Sequence, residues 1–168
     1  MAYRGPVLNR FIDAQNAART GIDVALSELR AGHKRSHWIW YVFPQLRGLG
    51  SSPMAEFYGL ADLQEADAYL RDPVLRGRLL TAATAVLDQV RAGARLTTLM
   101  GSGIDVLKLV SSMTLFGALA RRLSAGDQGG ECDRLADMAG SLLEAARVEG
   151  YSRCAFTERR LAEQRPAS

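Results

Sequence analysis

Ser36-His37-Trp38-Ile39-Trp40-Tyr41-Val42-Phe43, closed by Pro44-Gln45-Leu46-Arg47-Gly48-Leu49-Gly50, is the stretch on which the fold class turns. It is apolar on every side and rich in aromatic and β-branched residues, so propensity alone allows a buried strand or a buried helix. The neighbouring segments decide for a helix over residues 36–43. Every other long periodic run in the chain repeats at helical spacing, and a lone strand would have nothing to pair with. Pro44 ends the segment, and Gly48 and Gly50 make a flexible exit. Residues 33–50 also hold both histidines, both tryptophans and one of the two lysines.

Working outward towards the N-terminus, Leu8, Phe11, Ile12 and Gln15 recur at helical spacing and predict a short first helix, with Asp13 and Gln15 flanking its apolar face. A second helix starts from Thr20 as N-cap and runs through Ile22, Ala25, Leu26 and Leu29 to a stop at Gly32. Towards the C-terminus, Ser52-Pro53, Asp62 with Glu65, and Asp72-Pro73 each have the cap chemistry of a helix start. The last of these opens a longer helix through Leu75, Leu79, Ala82, Val86 and Val90 to Gly93. Short helices joined by tight turns predict an all-α, compact, orthogonal multihelical fold. Residues 124–130 read as a loop, Leu135 to Ala146 as an amphipathic helix, and the chain after Gly150 as a basic tail with a frayed end at 165–168.

A chain of 168 residues that is 48% hydrophobic and 23% charged suits one globular domain over residues 1–168. No apolar run approaches the roughly 20 residues of a membrane span, and residues 1–6 do not lead into a signal-peptide core, so a cytoplasmic monomer without membrane partners is expected. Cys132 and Cys154 have neither CxxC spacing nor a neighbouring histidine, which predicts free thiols and no metal. The net charge of +3 is spread over arginines interleaved with acids, so there is no dedicated basic arm. Nineteen arginines stand against two lysines, Lys34 and Lys108. Against that background a lysine marks a compact ammonium donor rather than routine solvation.

Lys108 lies in the most apolar helical segment. Ser102 and Asp105 form its cap, and Ile104, Val106, Leu109, Val110, Met113, Leu115, Phe116 and Leu119 cover most of its circumference, so it belongs in the core. At 100° per residue, Asp105, Lys108 and Ser112 fall in a sector of about 60°, with Ser111 on its edge. Ionisable groups in a buried helix must be paired or must line a wet cavity.

Taken together, Arg10-Phe11-Ile12-Asp13-Ala14-Gln15, the stretch from Lys34 to Gly50, Tyr69-Leu70 with Pro73-Val74-Leu75, Lys108-Leu109, and Ser111-Ser112-Met113-Thr114-Leu115-Phe116 resemble the bacterial domain-of-unknown-function family eighteen-ten. The resemblance covers about residues 8–120 and fades over 121–168. It implies a compact multihelical fold with centrally buried helices, in accord with the helical reading of residues 36–43. It implies no activity. The calpastatin label sometimes attached to the family implies a disordered, repeated inhibitor, which this chain does not resemble.

No reaction motif is present. His33 and His37 lack a third ligand at metal spacing. Ser111 or Ser112 with His37 and Asp13 or Asp105 makes a triad only on paper, without a GxSxG elbow. Neither Gly48-Leu49-Gly50 nor Gly101-Ser102-Gly103 continues into a nucleotide fingerprint, and no cofactor is expected. At least half of the rings among Trp38, Trp40, Tyr41 and Phe43 serve the core, and Trp38 and Trp40 are the candidates for a ligand. These two, with Lys34, Gln45, Asp105, Lys108, Ser111, Ser112 and Asp13, supply the parts of a site for a planar, nucleotide-derived anion, with His37 as the acid–base candidate. Nucleic-acid binding by the basic–aromatic stretch 30–40 is the alternative, and a structural or protein-interaction role for the polar stripe the third.

Overall fold

Four side-chain caps set the helix starts where the sequence places them. Ser52 Oγ accepts from Ala55 N–H at 3.1 Å, and Asp62 Oδ1 from Glu65 N–H at 2.8 Å. Asp72 Oδ1 accepts from Val74 and Leu75 at 2.9 and 3.0 Å, and Ser102 Oγ from Asp105 N–H at 3.1 Å. Each such cap stabilises its helix by about 1 kcal/mol. The computed structural model describes residues 7–125 and 130–164. The N-terminal lead 1–6, the interior of the expected loop at 126–129 and the expected frayed end at 165–168 lie outside the described residues.

Among the described residues the order is α1 (Asn9–Asn16), α2 (Ile22–Arg30), α3 (Ile39–Val42), α4 (Pro53–Tyr58), α5 (Leu63–Arg71), α6 (Pro73–Arg91), α7 (Leu96–Met100), α8 (Gly103–Ser124), α9 (Glu131–Val148) and α10 (Ala155–Glu163). No strand occurs among them, only an isolated parallel bridge between Leu46 and Leu60. The fold is all-α. Its buried apolar residues form one contiguous cluster reaching from Leu8 to Leu161.

Helix α8 is the axis of that cluster. It packs most widely on α9 and also touches α5, α7 and α10, while α6 packs on α9 and α2. The α8–α9 contact is close because Gly117 has no side chain: a Cβ there would stand 2.8 Å from the Ala139 Cβ. On another side Phe116 meets Tyr69, whose ring also meets Phe11 edge-on, both with centroids 5.1 Å apart. Burying such rings contributes about 1.5–3 kcal/mol each. The most apolar window of α8 has a mean hydropathy of 1.4, enough by length and composition to cross a bilayer, but 61% of it is buried inside the protein. That run exceeds what the sequence reading allowed, and burial explains it.

Three local expectations change. Only Ile39–Val42 of the expected 36–43 helix is helical, because Glu28 of α2 captures the backbone before it and Pro44 stops it after. Thr20 yields the N-cap of α2 to Gly21 and instead offers its carbonyl to the Tyr41 hydroxyl at 2.6 Å. The basic tail contains α10, which buries Thr157 and Leu161. Helix α7 was not anticipated: it has no side-chain cap of its own, and Glu149 Oε1, at the end of α9, accepts the Leu96 N–H at 2.6 Å.

Candidate functional site

The segment 33–38 is an irregular arm laid over the first turns of α8, and one carboxylate shapes it. Glu28 Oε2 accepts from the Arg35 and Ser36 N–H groups at 2.8 and 3.0 Å and from the Trp38 indole at 2.8 Å. Glu28 Oε1 accepts from the Ser36 hydroxyl. Burial alone would raise the Glu28 pKa, but these hydrogen bonds outweigh it and hold the carboxyl at about 2. At the start of the arm, Lys34 N–H donates to the Leu99 carbonyl at 2.7 Å and His33 Nδ1 lies 2.9 Å from the Thr98 carbonyl, tying it to α7.

The arm delivers Lys34 to α8. Lys34 Nζ donates to the Ser36 carbonyl at 2.5 Å and pairs with Asp105 Oδ2 at 2.8 Å, with 6% and 15% of the two side chains exposed. One turn on, Lys108 Nζ pairs with Asp105 Oδ1 at 3.1 Å and stands 3.7 Å from the centre of the Trp40 ring. Lys34 Nζ is 5.1 Å from the Trp38 ring centre. Two ammoniums therefore share one carboxylate between two indoles. Glu28, saturated by neutral donors, makes no ion pair with either lysine among the described residues.

The two lysines differ in what remains free. Lys34 is nearly sealed and has two strong acceptors, so its role is to fasten the arm. Lys108, 16% exposed at its side chain, has Asp105 on one side and only a π-face on another. An ammonium carries three donors. One N–H of Lys108 is thus left for an acceptor arriving from solvent.

The structure brings Lys34, Trp38, Trp40, Asp105 and Lys108 together and distributes the other sequence candidates elsewhere. Trp38, Tyr41 and Phe43 are all core residues, so Trp40 is the partly exposed ring of the four. His37 is exposed and lines a separate open hollow of about 580 Å³ with Thr20, Tyr41, Met54 and Tyr58. Asp13 is exposed on α1 and acts electrostatically on Tyr58, whose hydroxyl is raised in pKa mainly by burial. Gln45 is buried, and its carbonyl accepts from Leu60 N–H at 3.0 Å beside the bridge. Ser112 is fully buried, with a hydroxyl that has no partner among the described residues.

Ser111 has a neighbour that no sequence spacing announced. Its hydroxyl donates to the Leu107 carbonyl at 3.0 Å and also lies against the Cys154 thiol. Burial would push that thiol up, but hydrogen bonds involving Ser111, Thr157 and the Phe156 and Thr157 amides bring it below its ordinary value. Both cysteines are free thiols. Among the described residues no group of three or more His, Cys, Asp or Glu side chains has the arrangement of a metal site.

The sequence profile of the family described as "Protein of unknown function (DUF1810)" matches residues 6–127. The chain belongs to this family. Its DUF1810 segment contains α1 to α8, and with them every residue of the Lys34–Asp105–Lys108 cluster. The chain is also similar to the conserved hypothetical protein Rv1873 from Mycobacterium tuberculosis, known from a crystal structure: 37% identity over 93% of this chain and 94% of that one, with a TM-score of 0.64. No curated protein matches it. Neither the DUF1810 description nor that of Rv1873 supplies a ligand or a reaction.

Proposed function

We propose that the chain is a cytoplasmic protein that binds a small anionic, nucleotide-derived molecule at Lys108, with Trp40 beside it. The observation that supports this is the uneven charge of the cluster: two largely buried ammoniums, one carboxylate, and a neutral indole face filling the place of a second anion. The N–H that Lys108 has left makes a charge-assisted hydrogen bond to phosphate or carboxylate, which the neutral ring does not supply, while the Trp40 contact of about 0.5–2 kcal/mol is retained. Asp105 orients the ammonium and Lys34 orients Asp105. In this reading His37 has no part in the anion site, since it faces a different hollow.

The experiment uses adenosine monophosphate, adenosine and inorganic phosphate as probes, read by tryptophan emission and by titration calorimetry. The monophosphate shifts the Trp40 emission and binds more tightly than either fragment, and Lys108→Met abolishes both effects. If emission and heat stay unchanged with all three probes, the cluster is a fastening between the arm and α8 and the binding reading is wrong.

A further inference from the structure

A second cleft lies on the far part of α8, where that helix, α9 and α10 converge. It has a volume of about 490 Å³, within the range of small-molecule sites. Arg121, Arg122 and Arg153 line it, and Glu158 is its one lining acid. The three guanidiniums come from two separate segments, the last turn of α8 and the turn before α10, so the C-terminal helix dipole of α8 accounts for at most the first two. Among the described residues none of the three has an ion pair; Arg122 Nη2 donates to the Leu161 carbonyl at 3.1 Å. The lining charge is therefore +2.

The floor of the cleft is apolar and includes small side chains, with Ala136, Ala139 and Gly140 from α9 beside Leu143 and Leu161. Gly117 and Ala139 hold α8 and α9 in close contact below it. Gly140 is different: a Cβ built there meets nothing within 4 Å, so that wall faces open space. An apolar floor with a rim of planar guanidiniums and a surplus of two charges matches one ligand chemistry. We infer that this cleft binds a phosphomonoester dianion attached to a flat apolar body, the phosphate on Arg121 and Arg153 and the body against Gly140. Guanidinium forks fit phosphate oxygens two at a time, which an ammonium cannot do. The site shares no residue with the Lys108 cluster and stands or falls independently of it.

The test is titration of the full chain with 1-naphthyl phosphate, 1-naphthoate, 1-naphthol and inorganic phosphate, followed by fluorescence and by amide chemical shifts. The expected result is that 1-naphthyl phosphate binds at least tenfold more tightly than the other three, with shifts confined to α8, α9, α10 and the turn before α10 that contains Arg153. Arg153→Gln weakens it at least tenfold, whereas Arg71→Gln, an equal loss of charge on α5, does not. Gly140→Leu fills the floor without touching an arginine; it removes the advantage over inorganic phosphate and leaves inorganic phosphate binding as it was. Because both Arg153 and Gly140 lie outside the buried core, thermal unfolding of each variant close to the parent verifies that the fold is intact. The inference is overturned if 1-naphthyl phosphate binds no better than phosphate or naphthoate, if Arg71→Gln weakens it as much as Arg153→Gln, or if the shifts map elsewhere.

Discussion

Replacing Glu28 with glutamine removes one charge and almost nothing else. The amide oxygen can still face the Arg35, Ser36 and Trp38 N–H groups, and the amide nitrogen can donate to the Ser36 hydroxyl, so the arm retains its geometry. What is lost is the preference of those donors for a carboxylate. A fall in pKa from an ordinary 4.5 to about 2 corresponds to about 3 kcal/mol at 1.36 kcal/mol per pH unit. The carboxylate is partly solvated, and screening reduces that to about 1.5 kcal/mol. In a chain of this length that is a fall of about 3–6 °C in Tm near neutral pH. The sign follows from linkage. The folded pKa lies below the unfolded one, so the contribution is complete above pH 4.5 and disappears as pH falls through about 2. Urea unfolding of the parent and Glu28→Gln, repeated from neutral pH downward, reads the difference directly. The two curves run parallel above pH 4.5 and converge by about pH 2. A difference that stays constant across that interval would falsify the account of Glu28 as a charged clamp.

Asp105→Asn leaves Lys34, with 6% of its side chain exposed, without its counter-charge, and costs about 3 kcal/mol by denaturant unfolding; Lys34→Met together with Asp105→Leu restores most of it. A loss under about 0.5 kcal/mol for Asp105→Asn places the pair with ordinary surface contacts. Ser112→Ala removes a buried hydroxyl with no partner and leaves stability unchanged or raises it by up to about 1 kcal/mol, measured by the same unfolding. Gly117→Val drives a side chain into Ala139 and costs about 1–3 kcal/mol, whereas Gly140→Ala, in open space on the same pair of helices, is neutral or stabilising; calorimetric Tm values separate them. Phe116→Ala opens a cavity beside Tyr69 and lowers stability by about 3–5 kcal/mol.

Helix starts were legible because capping is local. Ser52, Asp62, Asp72 and Ser102 each need only the next three residues to do their work, and all four do it. Helix α7 was not, because its first N–H groups are met by Glu149, which the sequence places far downstream. The shortening of α3 has the same origin, since Glu28 competes for the backbone of residues 35 and 36 and nothing within that stretch reveals it. The one trace was positional: Glu28 follows Ala25 by three and precedes Leu29, on the edge of the buried face of α2.

For the site, the sector containing Asp105 and Lys108 followed from helical geometry, and the scarcity of lysine pointed to Lys34. That both lysines use the same carboxylate depends on the path of the arm, which is tertiary. His37 entered the expected site by adjacency to Trp38, but in an irregular arm neighbouring side chains take unrelated directions, and its imidazole lines another hollow. Arg153 and Cys154 fell in a stretch read as a tail, so neither the arginine rim nor the thiol beside Ser111 had a place in the sequence picture.

The contact between α8 and α9 has a practical corollary. The match to the family profile closes at residue 127, and the helix that covers α8 begins at Glu131. A fragment ending at the family boundary would keep every residue of the Lys108 cluster and lose the wall that shields α8. A helix of 22 residues, apolar enough for a bilayer, would then meet water along the side now facing α9, where Gly117 meets Ala139. Such a fragment aggregates or partitions into lipid, so an inactive or insoluble preparation of it carries no information about the ligand. The edge of the family profile is therefore not an edge of the folded unit, and experiments on the matched segment require α9 to be present.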